Sequence, residues 1–166
     1  NVSCGTTHKL LIFNNMRVIV QRVSEAKVKI DDVISGSIKQ GLLIFAGFVS
    51  EDTQEDINWT ANKLVQLRIF SDATGAMNKS LLEIDGNMLI VSQFTLHAKT
   101  KKGNRPSFLS AAPPEIAIPL YESFVKKCNE LLPSNVQTGI FGADMKVALC
   151  NDGPVTIIID SKNRDL

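Results

Sequence analysis

The sequence predicts an α+β domain: a curved, mostly antiparallel sheet, close to a β-barrel in shape, with two main helices packed on it. Three observations lead there. Strand-type alternation begins at Met16, a continuous apolar run over 41–48 is typical of a buried strand, and helical periodicity occurs in two places. At 166 residues the chain is long enough for one domain with a sizeable core.

The first strands follow from this alternation. Apolar residues alternate with polar ones after Met16: Val18, Val20, Val28 and Ile30. This pattern predicts a strand or a strand pair over 17–30 and another strand around 33–38. The run Gly41-Leu-Leu-Ile-Phe-Ala-Gly-Phe48 has no charged member, so we expect it to be a central strand buried on both faces.

The first helix is predicted to open at Thr53, which is followed by the acidic residues Glu55 and Asp56. A threonine hydroxyl can cap the free N–H groups of a first helical turn, and acidic side chains are favourable there. Apolar residues then recur at helical spacing: Ile57, Ala61, Leu64 and Val65. Such a stripe needs a sheet to cover.

The next elements are predicted to form a hairpin of residues 81–84 and 87–96. Asp85-Gly86 lies between the two arms, and this dipeptide is favoured in two-residue hairpin turns. The second arm ends in Val91-Ser-Gln-Phe-Thr-Leu96.

A second helix is predicted to start at Pro113-Pro114 or at Pro119 and to stop before Pro133, since proline is tolerated only in a first turn. Its expected inner face has four members: Leu120, Phe124, Cys128 and Leu131. Two final strands, over 136–149 and 155–160, would flank a turn at Asn151-Asp-Gly-Pro154.

Residues 1–15 stand apart from this patterning, because their longest apolar run, Leu10 to Phe13, is too short for a signal peptide or a membrane span. We expect residues 1–15 to be an N-terminal extension or a remnant of cloning, and residues 16–166 to form a single domain. The three cysteines, Cys4, Cys128 and Cys150, lie far apart without a C-x-x-C pair, which favours a reducing, cytoplasmic location.

Composition argues against several kinds of site. With two histidines, His8 and His97, the chain has no HExxH pair and no Cys/His cluster at zinc spacing, so no metal site is predicted. It also lacks a G-x-S-x-G elbow, a Walker A loop and a G-x-G-x-x-G fingerprint. The net charge of +1 means that a nucleic-acid partner must be argued from a local patch.

Two polar stretches could carry chemistry. Ser92-Gln93-Phe94-Thr95 is either a strand edge facing water or a site that presents N–H and hydroxyl groups to a reacting carbonyl. Asn151-Asp-Gly-Pro-Val-Thr156 is either a plain turn or a segment whose Gly153-Pro154 dipeptide presents bare main chain to a ligand.

The run over 96–114 is basic and has no acidic residue. Its cations are Lys99, Lys101, Lys102 and Arg105. They are either solvated or contact the phosphates of a nucleic acid. We interpret His97, at the start of this run, as a surface or capping histidine rather than a general base.

The two polar motifs, Ser92-Gln-Phe-Thr-Leu96 followed by Asn151-Asp-Gly-Pro-Val-Thr156, resemble the signature motifs of the D-aminoacyl-tRNA deacylases, formerly called D-tyrosyl-tRNA deacylases. Five further segments resemble this family in order and spacing: Met16-Arg-Val-Ile-Val-Gln-Arg-Val23, Gly41-Leu-Leu-Ile-Phe45, Leu67-Arg-Ile-Phe70, Lys102-Gly-Asn-Arg-Pro-Ser-Phe108 and Gly139-Ile-Phe-Gly-Ala-Asp-Met145. The resemblance covers essentially all of 16–166 and leaves 1–15 outside.

The resemblance implies a homodimeric enzyme that hydrolyses the ester between a D-amino acid and the terminal ribose of tRNA, a chiral proofreading step, with no metal or organic cofactor. It implies that Gly153-Pro154 is a cis dipeptide reaching into the partner's pocket, held by Arg22. The expected catalytic residues are Ser92, Gln93, Phe94 and Thr95. The expected substrate-binding residues are Arg22, Met145, Asn151, Gly153 and Pro154, and the expected tRNA contacts are Lys99, Lys101, Lys102 and Arg105.

An aminoacyl ester is already activated, so main-chain N–H groups at Phe94 and Thr95 are suitable oxyanion donors. Thr95 is either a covalent nucleophile, which needs a base, or an orienting residue in hydrolysis assisted by the ribose 2′-hydroxyl; we favour the second. A main-chain wall at Gly153-Pro154 would exclude L-amino acids.

Three alternatives stay open. The chain could be a non-catalytic RNA-binding module that uses the 99–105 loop, or a small-molecule-binding or structural dimer. Within the family, the motif beginning at Asn151 is closer to the D-specific pattern than to relatives of relaxed chirality.

Overall fold

A six-stranded, nearly closed sheet with two helices and a separate two-stranded ribbon is seen in the computed structural model, which describes residues 15–165. The elements in chain order are β1 (Arg17–Ile30), β2 (Val33–Ile38), β3 (Gly41–Gly47), α1 (Gln54–Gln66), β4 (Phe70–Ser71), β5 (Met77–Lys79), β6 (Asn87–Ser92), a 3₁₀ helix (Phe94–His97), α2 (Pro114–Leu131), β7 (Val136–Thr138) and β8 (Lys146–Asp160). The two-helix, mostly β architecture is the predicted one.

Strand β1 organises the sheet, because it pairs antiparallel with β2, β3 and β8. Its first half lies between β3 and β8, and its second half lies between β2 and β8. The remaining pairs, β3 with β6 and β6 with β7, are parallel. The sheet is therefore antiparallel around β1 and parallel at its other side.

The predicted hairpin over 81–84 and 87–96 is wrong. Residues 81–85 form turns, and β6 pairs with β3 and β7 instead. Ser80 N–H donates to the Glu83 carboxylate at 2.7 Å, and Glu83 N–H donates to the Ser80 hydroxyl at 3.3 Å. These side-chain hydrogen bonds stabilise a turn at 80–83. Asp85-Gly86 follows this turn, but the residues on its two sides do not pair as strands.

Two strands follow α2 as predicted, but the predicted boundary between them is wrong. Only 136–138 of the first expected strand are extended as β7, and β8 then runs without interruption through Asn151-Asp-Gly-Pro154. Strand β1 is long enough to pair with β8 on both sides of this motif. The motif therefore shifts the pairing register between the two strands but does not end β8.

Both helices begin at predicted positions. Thr53 caps α1 in a capping box with Asp56, and α2 starts at Pro114 after Pro113, with Pro119 inside the helix. Phe124 and Cys128 of the expected inner face are fully buried, whereas Leu120 and Leu131 are half-buried. No helix among residues 15–165 is long and apolar enough to cross a membrane.

The core has two apolar layers, one on each face of β3 and β6. Leu42, Ile44, Met88 and Ile90 face the helices, and Leu43, Leu89 and Val91 face the second half of β1. Successive side chains of a strand point to opposite faces, so a strand buried on both sides shows no polar alternation. This confirms the prediction of a central strand at 41–48.

The N-terminal end of β1 is fixed by carboxylates. The Asp52 side chain accepts hydrogen bonds from Met16 N–H at 2.6 Å and Val49 N–H at 2.8 Å, and Asn15 is buried with its amide donating to Asp160 at 2.9 Å. The predicted extension over 1–15 otherwise lies outside the described residues.

Asp52 should give the protein a distinctive pH dependence. Burial raises the pKa of Asp52 from its ordinary 3.8 to about 6, against the effect of the Val49 and Met16 hydrogen bonds. Between about pH 4 and pH 6 the folded state therefore binds more protons than the unfolded state, and the free energy of unfolding falls as the pH rises. We expect Asp52→Asn to remove this part of the slope in urea denaturation.

Asp56→Asn is the matched control. Burial raises the pKa of Asp56, but two hydrogen bonds from Thr53 and the charge of Lys162 bring it below its ordinary value. The contribution of Asp56 is present above its ordinary pKa and is lost only at more acid pH. Between about pH 4 and pH 6 this variant should therefore change the slope only slightly, through loss of the weak repulsion between Asp56 and Asp52. A wild-type slope in Asp52→Asn would contradict the prediction.

Candidate functional site

A cleft of about 260 Å³ opens where β6 ends. Four of the predicted site residues line it: Ser92, Gln93 and Phe94, together with Met145 from the segment before β8. Gly47 and Phe141 also line the cleft, and neither is among the site residues predicted from the sequence. Phe141 lies in a segment that resembles the deacylase family, which is the signal that could have identified it.

The cleft is bordered by the 3₁₀ helix Phe94–His97, which we call the motif helix. Strand pairing ends at Gln93, whose N–H donates to the Ala46 carbonyl at 2.7 Å. The first helical bond runs from Leu96 N–H to the Gln93 carbonyl at 3.3 Å, so the helix does not use the N–H groups of Phe94 and Thr95. Such N–H groups are suited to binding a developing negative charge.

The side chains of the motif helix are arranged around this backbone. Phe94 is 55% exposed and packs edge-to-face on Phe108, with ring centroids 5.1 Å apart. Thr95 does not line the cleft itself, but its hydroxyl accepts a hydrogen bond of 2.5 Å from the amide of Gln93, a residue of the lining. The Thr95 hydroxyl proton therefore remains available to an acceptor.

His97 corrects the interpretation of a surface or capping histidine, because it is buried at 6% exposure. Burial lowers the pKa of His97, and the Arg17 charge lowers it further, against the opposing effects of the Gly47 backbone and the Asp160 carboxylate. His97 is thus neutral at physiological pH, and it does not line the cleft.

The second motif forms a wide bulge in β8. Gln21 pairs with Thr156 and Val23 pairs with Asn151, so Arg22 alone faces residues 152–155, which we call the Gly-Pro bulge. Gly153 and Pro154 are exposed, Gly153 has φ = 130°, and the peptide bond between them is cis.

Arg22 and Asn151 brace this bulge. Arg22 Nε donates to the Asp152 carbonyl at 3.0 Å, and Nη1 donates to the Ile69 carbonyl at 2.5 Å. The Asn151 side-chain oxygen Oδ1 accepts from Val155 N–H at 3.2 Å, and the side-chain amide Nδ2 donates to the Thr156 hydroxyl at 3.0 Å. Both side chains thus stabilise a main-chain shape and leave the exposed dipeptide uncovered.

The bulge and the cleft lie at opposite ends of the sheet. Ser92 is paired with Ala46, whereas Arg22 is paired with Leu42, four residues earlier on β3. At the rise of a β-strand this is about 13 Å along the strand direction, in addition to the strands between. A single chain therefore does not bring the two predicted halves of the site together.

The basic residues extend from the motif helix in an exposed loop, 99–105. Lys99 and Ser107 pair across its neck through two backbone bonds of 2.8 and 3.0 Å. In the part of the chain that the structure describes, none of the four predicted cations forms an ion pair with a carboxylate. The Phe108 contact with Phe94 ties this loop to the cleft.

Metal-binding groups do not converge in the described range: residues 15–165 contain no cluster of three or more His, Cys, Asp or Glu side chains that could hold an ion.

Comparison with known proteins gives a consistent match. The family model "D-Tyr-tRNA(Tyr) deacylase" matches residues 19–160. A D-aminoacyl-tRNA deacylase of Flavobacterium psychrophilum is 59% identical over 150 residues, which cover 90% of this chain and 100% of the relative. One of Bacteroides fragilis (strain YCH46) is 58% identical with the same coverage.

Two solved structures share the fold. A protein named c-Myc DNA unwinding element binding protein superposes with a TM-score of 0.83 at 37% identity, covering 87% of this chain and 97% of that one. A probable eukaryotic D-amino acid tRNA deacylase superposes with a TM-score of 0.77 at 20% identity, covering 88% and 99%.

Gly153→Ala should destabilise the fold by about 1–3 kcal/mol, because a side chain is strained at this φ and the added Cβ would be crowded. The Cβ would lie 2.9 Å from Val155 Cγ2 and 3.0 Å from Arg22 Nη2. Gly142→Ala is the control, since Gly142 also has a positive φ, 78°, with nothing within 4 Å of an added Cβ. Equal losses of unfolding free energy in the two variants would show that the bulge is not tightly braced.

Proposed function

The chain belongs to the D-Tyr-tRNA(Tyr) deacylase family, and from this premise we propose that it hydrolyses the ester bond of D-aminoacyl-tRNA to free D-amino acid and tRNA. The observation that carries the proposal is the cleft at the N-terminal end of the motif helix, in a chain 59% identical to a D-aminoacyl-tRNA deacylase over 150 residues.

The chemistry that we propose for the cleft uses main chain more than titratable groups. Hydrolysis of an aminoacyl ester needs an oriented water and a stabilised oxyanion. The N–H groups of Phe94 and Thr95 would stabilise the oxyanion. Preorganised donors of this kind require no metal or organic cofactor.

We assign Thr95 an orienting role. Its hydroxyl accepts from Gln93, which directs the hydroxyl proton elsewhere, toward a water or the substrate ribose. A nucleophilic threonine would need a base to remove that proton, and the described residues that line the cleft include no histidine and no carboxylate. Hydrolysis assisted by the ribose 2′-hydroxyl needs no such base.

We propose that the complete site forms in a homodimer, with Gly153 and Pro154 of one protomer entering the cleft of its partner. Two observations support this. The bulge is exposed and braced in a fixed shape by Arg22 and Asn151, and it lies at the opposite end of the sheet from Ser92.

A rigid main-chain wall would also account for selection between enantiomers. The D- and L-forms carry the same chemical groups, so large discrimination between them must come from repulsion of the wrong one. We propose that the side chain of an L-aminoacyl group collides with Gly153-Pro154, whereas the side chain of a D-aminoacyl group points away from it.

The tRNA backbone is proposed to bind the exposed loop 99–105, which Phe108 connects to the cleft. Its cations would neutralise phosphates and release counterions. We place the protein in the cytoplasm, where the dispersed cysteines Cys128 and Cys150, both free thiols, would stay reduced.

A second candidate function is non-catalytic nucleic-acid binding through the same loop. The observation that favours it is the exposed basic loop itself, and the fold is shared with a protein named for binding a DNA element. The two candidates differ in turnover.

The first experiment measures amino-acid release from D-tyrosyl-tRNA and L-tyrosyl-tRNA without added metal. We expect the wild type to release D-tyrosine selectively, and Thr95→Ala to lower kcat by about 10- to 100-fold, because it loses an orienting hydroxyl but keeps the N–H donors. Thr74→Ala, an exposed threonine between β4 and β5 and outside the proposed site, is the control and should match the wild type.

Two outcomes would contradict this proposal. An aminoacyl group trapped on the wild type through Thr95 would make that residue a nucleophile. No release from either ester, with tRNA still bound, would replace the hydrolase with the binding module.

Replacing Lys99, Lys101, Lys102 and Arg105 together by glutamine should raise KM for aminoacyl-tRNA and leave kcat and chirality unchanged. The slope of log K against log salt should fall by about 0.7–0.9 for each phosphate that the variant no longer neutralises. A control variant neutralises four exposed lysines elsewhere: Lys27, Lys39, Lys79 and Lys126. Equal effects in the two variants would show that the loop has no specific role.

A further inference from the structure

We propose that Arg17 and Asp160 are positioning residues for the reaction: their ion pair holds the motif helix in place and thereby sets the N–H groups of Phe94 and Thr95. This inference rests on the proposed function, since the N–H groups that the ion pair would hold in place are the oxyanion donors proposed there. Neither residue belongs to the two signature motifs.

Arg17 joins the motif helix to the end of β8. Its Nη1 donates to the Leu96 carbonyl at 3.2 Å, and its Nη2 donates to the Asp160 carboxylate at 3.3 Å. Leu96 lies in the last turn of the motif helix, where carbonyls have no partner within the helix. The guanidinium thus supplies an external partner at the end opposite to the Phe94 and Thr95 N–H groups.

Asp160 is a firm anchor for this arginine. Its side chain is 1% exposed, and its second oxygen accepts hydrogen bonds from the Asn15 amide at 2.9 Å, Lys162 N–H at 3.1 Å and Asn163 N–H at 2.9 Å. A buried carboxylate with this many donors has little freedom to turn. It therefore fixes the direction in which Arg17 reaches the motif helix.

The motif helix is also held close from the side of β3. A Cβ at Gly47 would lie 2.8 Å from the Gln93 carbonyl and 3.1 Å from the His97 ring. Gly47, Arg17 and Asp160 are direct register partners on three neighbouring strands. The contact between Gly47 and the motif helix, the hydrogen bond from Arg17 to Leu96 and the Asp160 carboxylate therefore lie at the same level of the sheet. We call the Arg17–Asp160 ion pair, with its hydrogen bond to Leu96, the clamp.

This support matters because the motif helix is only four residues long and has few bonds of its own. Two backbone hydrogen bonds close its ends, from Leu96 N–H to the Gln93 carbonyl at 3.3 Å and from Ala98 N–H to the Thr95 carbonyl at 3.1 Å. Catalytic groups lose about 100-fold in rate when misplaced by about 1 Å. A clamp at the end of so short a helix therefore bears on the chemical step and not on tRNA binding.

Asp160→Asn separates this role from general folding. The amide oxygen can still accept from Asn15, Lys162 and Asn163, whereas its NH₂ group would face the Arg17 guanidinium, which has no acceptor. We expect Asp160→Asn and Arg17→Met each to lower kcat by about 10- to 100-fold with KM within about twofold of wild type. Arg17→Lys, which can restore one hydrogen bond, should recover part of the loss.

The double variant Arg17→Met/Asp160→Asn should be no slower than the slower single variant, because each change breaks the same ion pair. Arg164→Met is the matched control: Arg164 anchors the same C-terminal segment through the Ser161 carbonyl at 3.0 Å and lies over Trp59 at 4.3 Å. It should keep the wild-type kcat. Additive losses, a rise in KM alone, or equal losses in Arg164→Met would overturn the proposal.

A readout without substrate distinguishes failure of the clamp from failure of the proposed function. Amide hydrogen exchange of Ala98, which reports on its bond to Thr95, should accelerate in Arg17→Met and Asp160→Asn and stay unchanged in Arg164→Met. Unchanged exchange in the clamp variants would refute the proposal even if the wild type hydrolyses D-tyrosyl-tRNA. A wild type without turnover would refute the proposed function independently.

Discussion

The hydrogen-bonded pairing of β1 with three strands is the constraint on which the rest of the structure depends. Its first residue is in register with Gly47 on β3 and with Asp160 on β8, next to the cleft, and five residues later Arg22 faces the Gly-Pro bulge. The register of a strand is fixed wherever its faces are buried, and Val18 and Val20 of β1 are fully buried. The placement of both motifs therefore follows from one strand.

The two motifs offer shaped backbone more than reactive side chains. In the first, a strand gives way to a short 3₁₀ helix and leaves two N–H groups unused; in the second, one arginine faces four residues and holds the bulge in place through the Asp152 carbonyl. Fixed dipoles of this kind stabilise charge as it develops and need no proton transfer of their own. This is consistent with a cleft poor in histidine and carboxylate, and with an ester substrate that is already activated.

The separation of the motifs within a protomer gives the proposed dimer a physical rationale. The bulge is stiff, exposed and directed away from the core, and the cleft at the other end of the sheet is open. A second copy would supply each cleft with a wall that its own chain cannot provide. Such a wall made of main chain would be insensitive to the identity of the substrate side chain, and sensitive to its handedness.

The sequence by itself determined the features that depend on local chemistry: the Thr53 cap, the start of α2 at its prolines, the doubly buried strand at 41–48 and the two motifs with their family. It could not determine the features that arise from pairing between distant residues. Asp85-Gly86 predicts the turn of a hairpin and the motif at Asn151 predicts the end of a strand, and the structure has neither. Local turn signals do not reveal that β6 pairs parallel with β3, or that β1 continues opposite the bulge. Likewise, only the tertiary structure decided that His97 is buried and that Arg17 reaches Leu96, because burial and long-range hydrogen bonds depend on elements that are far apart in the chain.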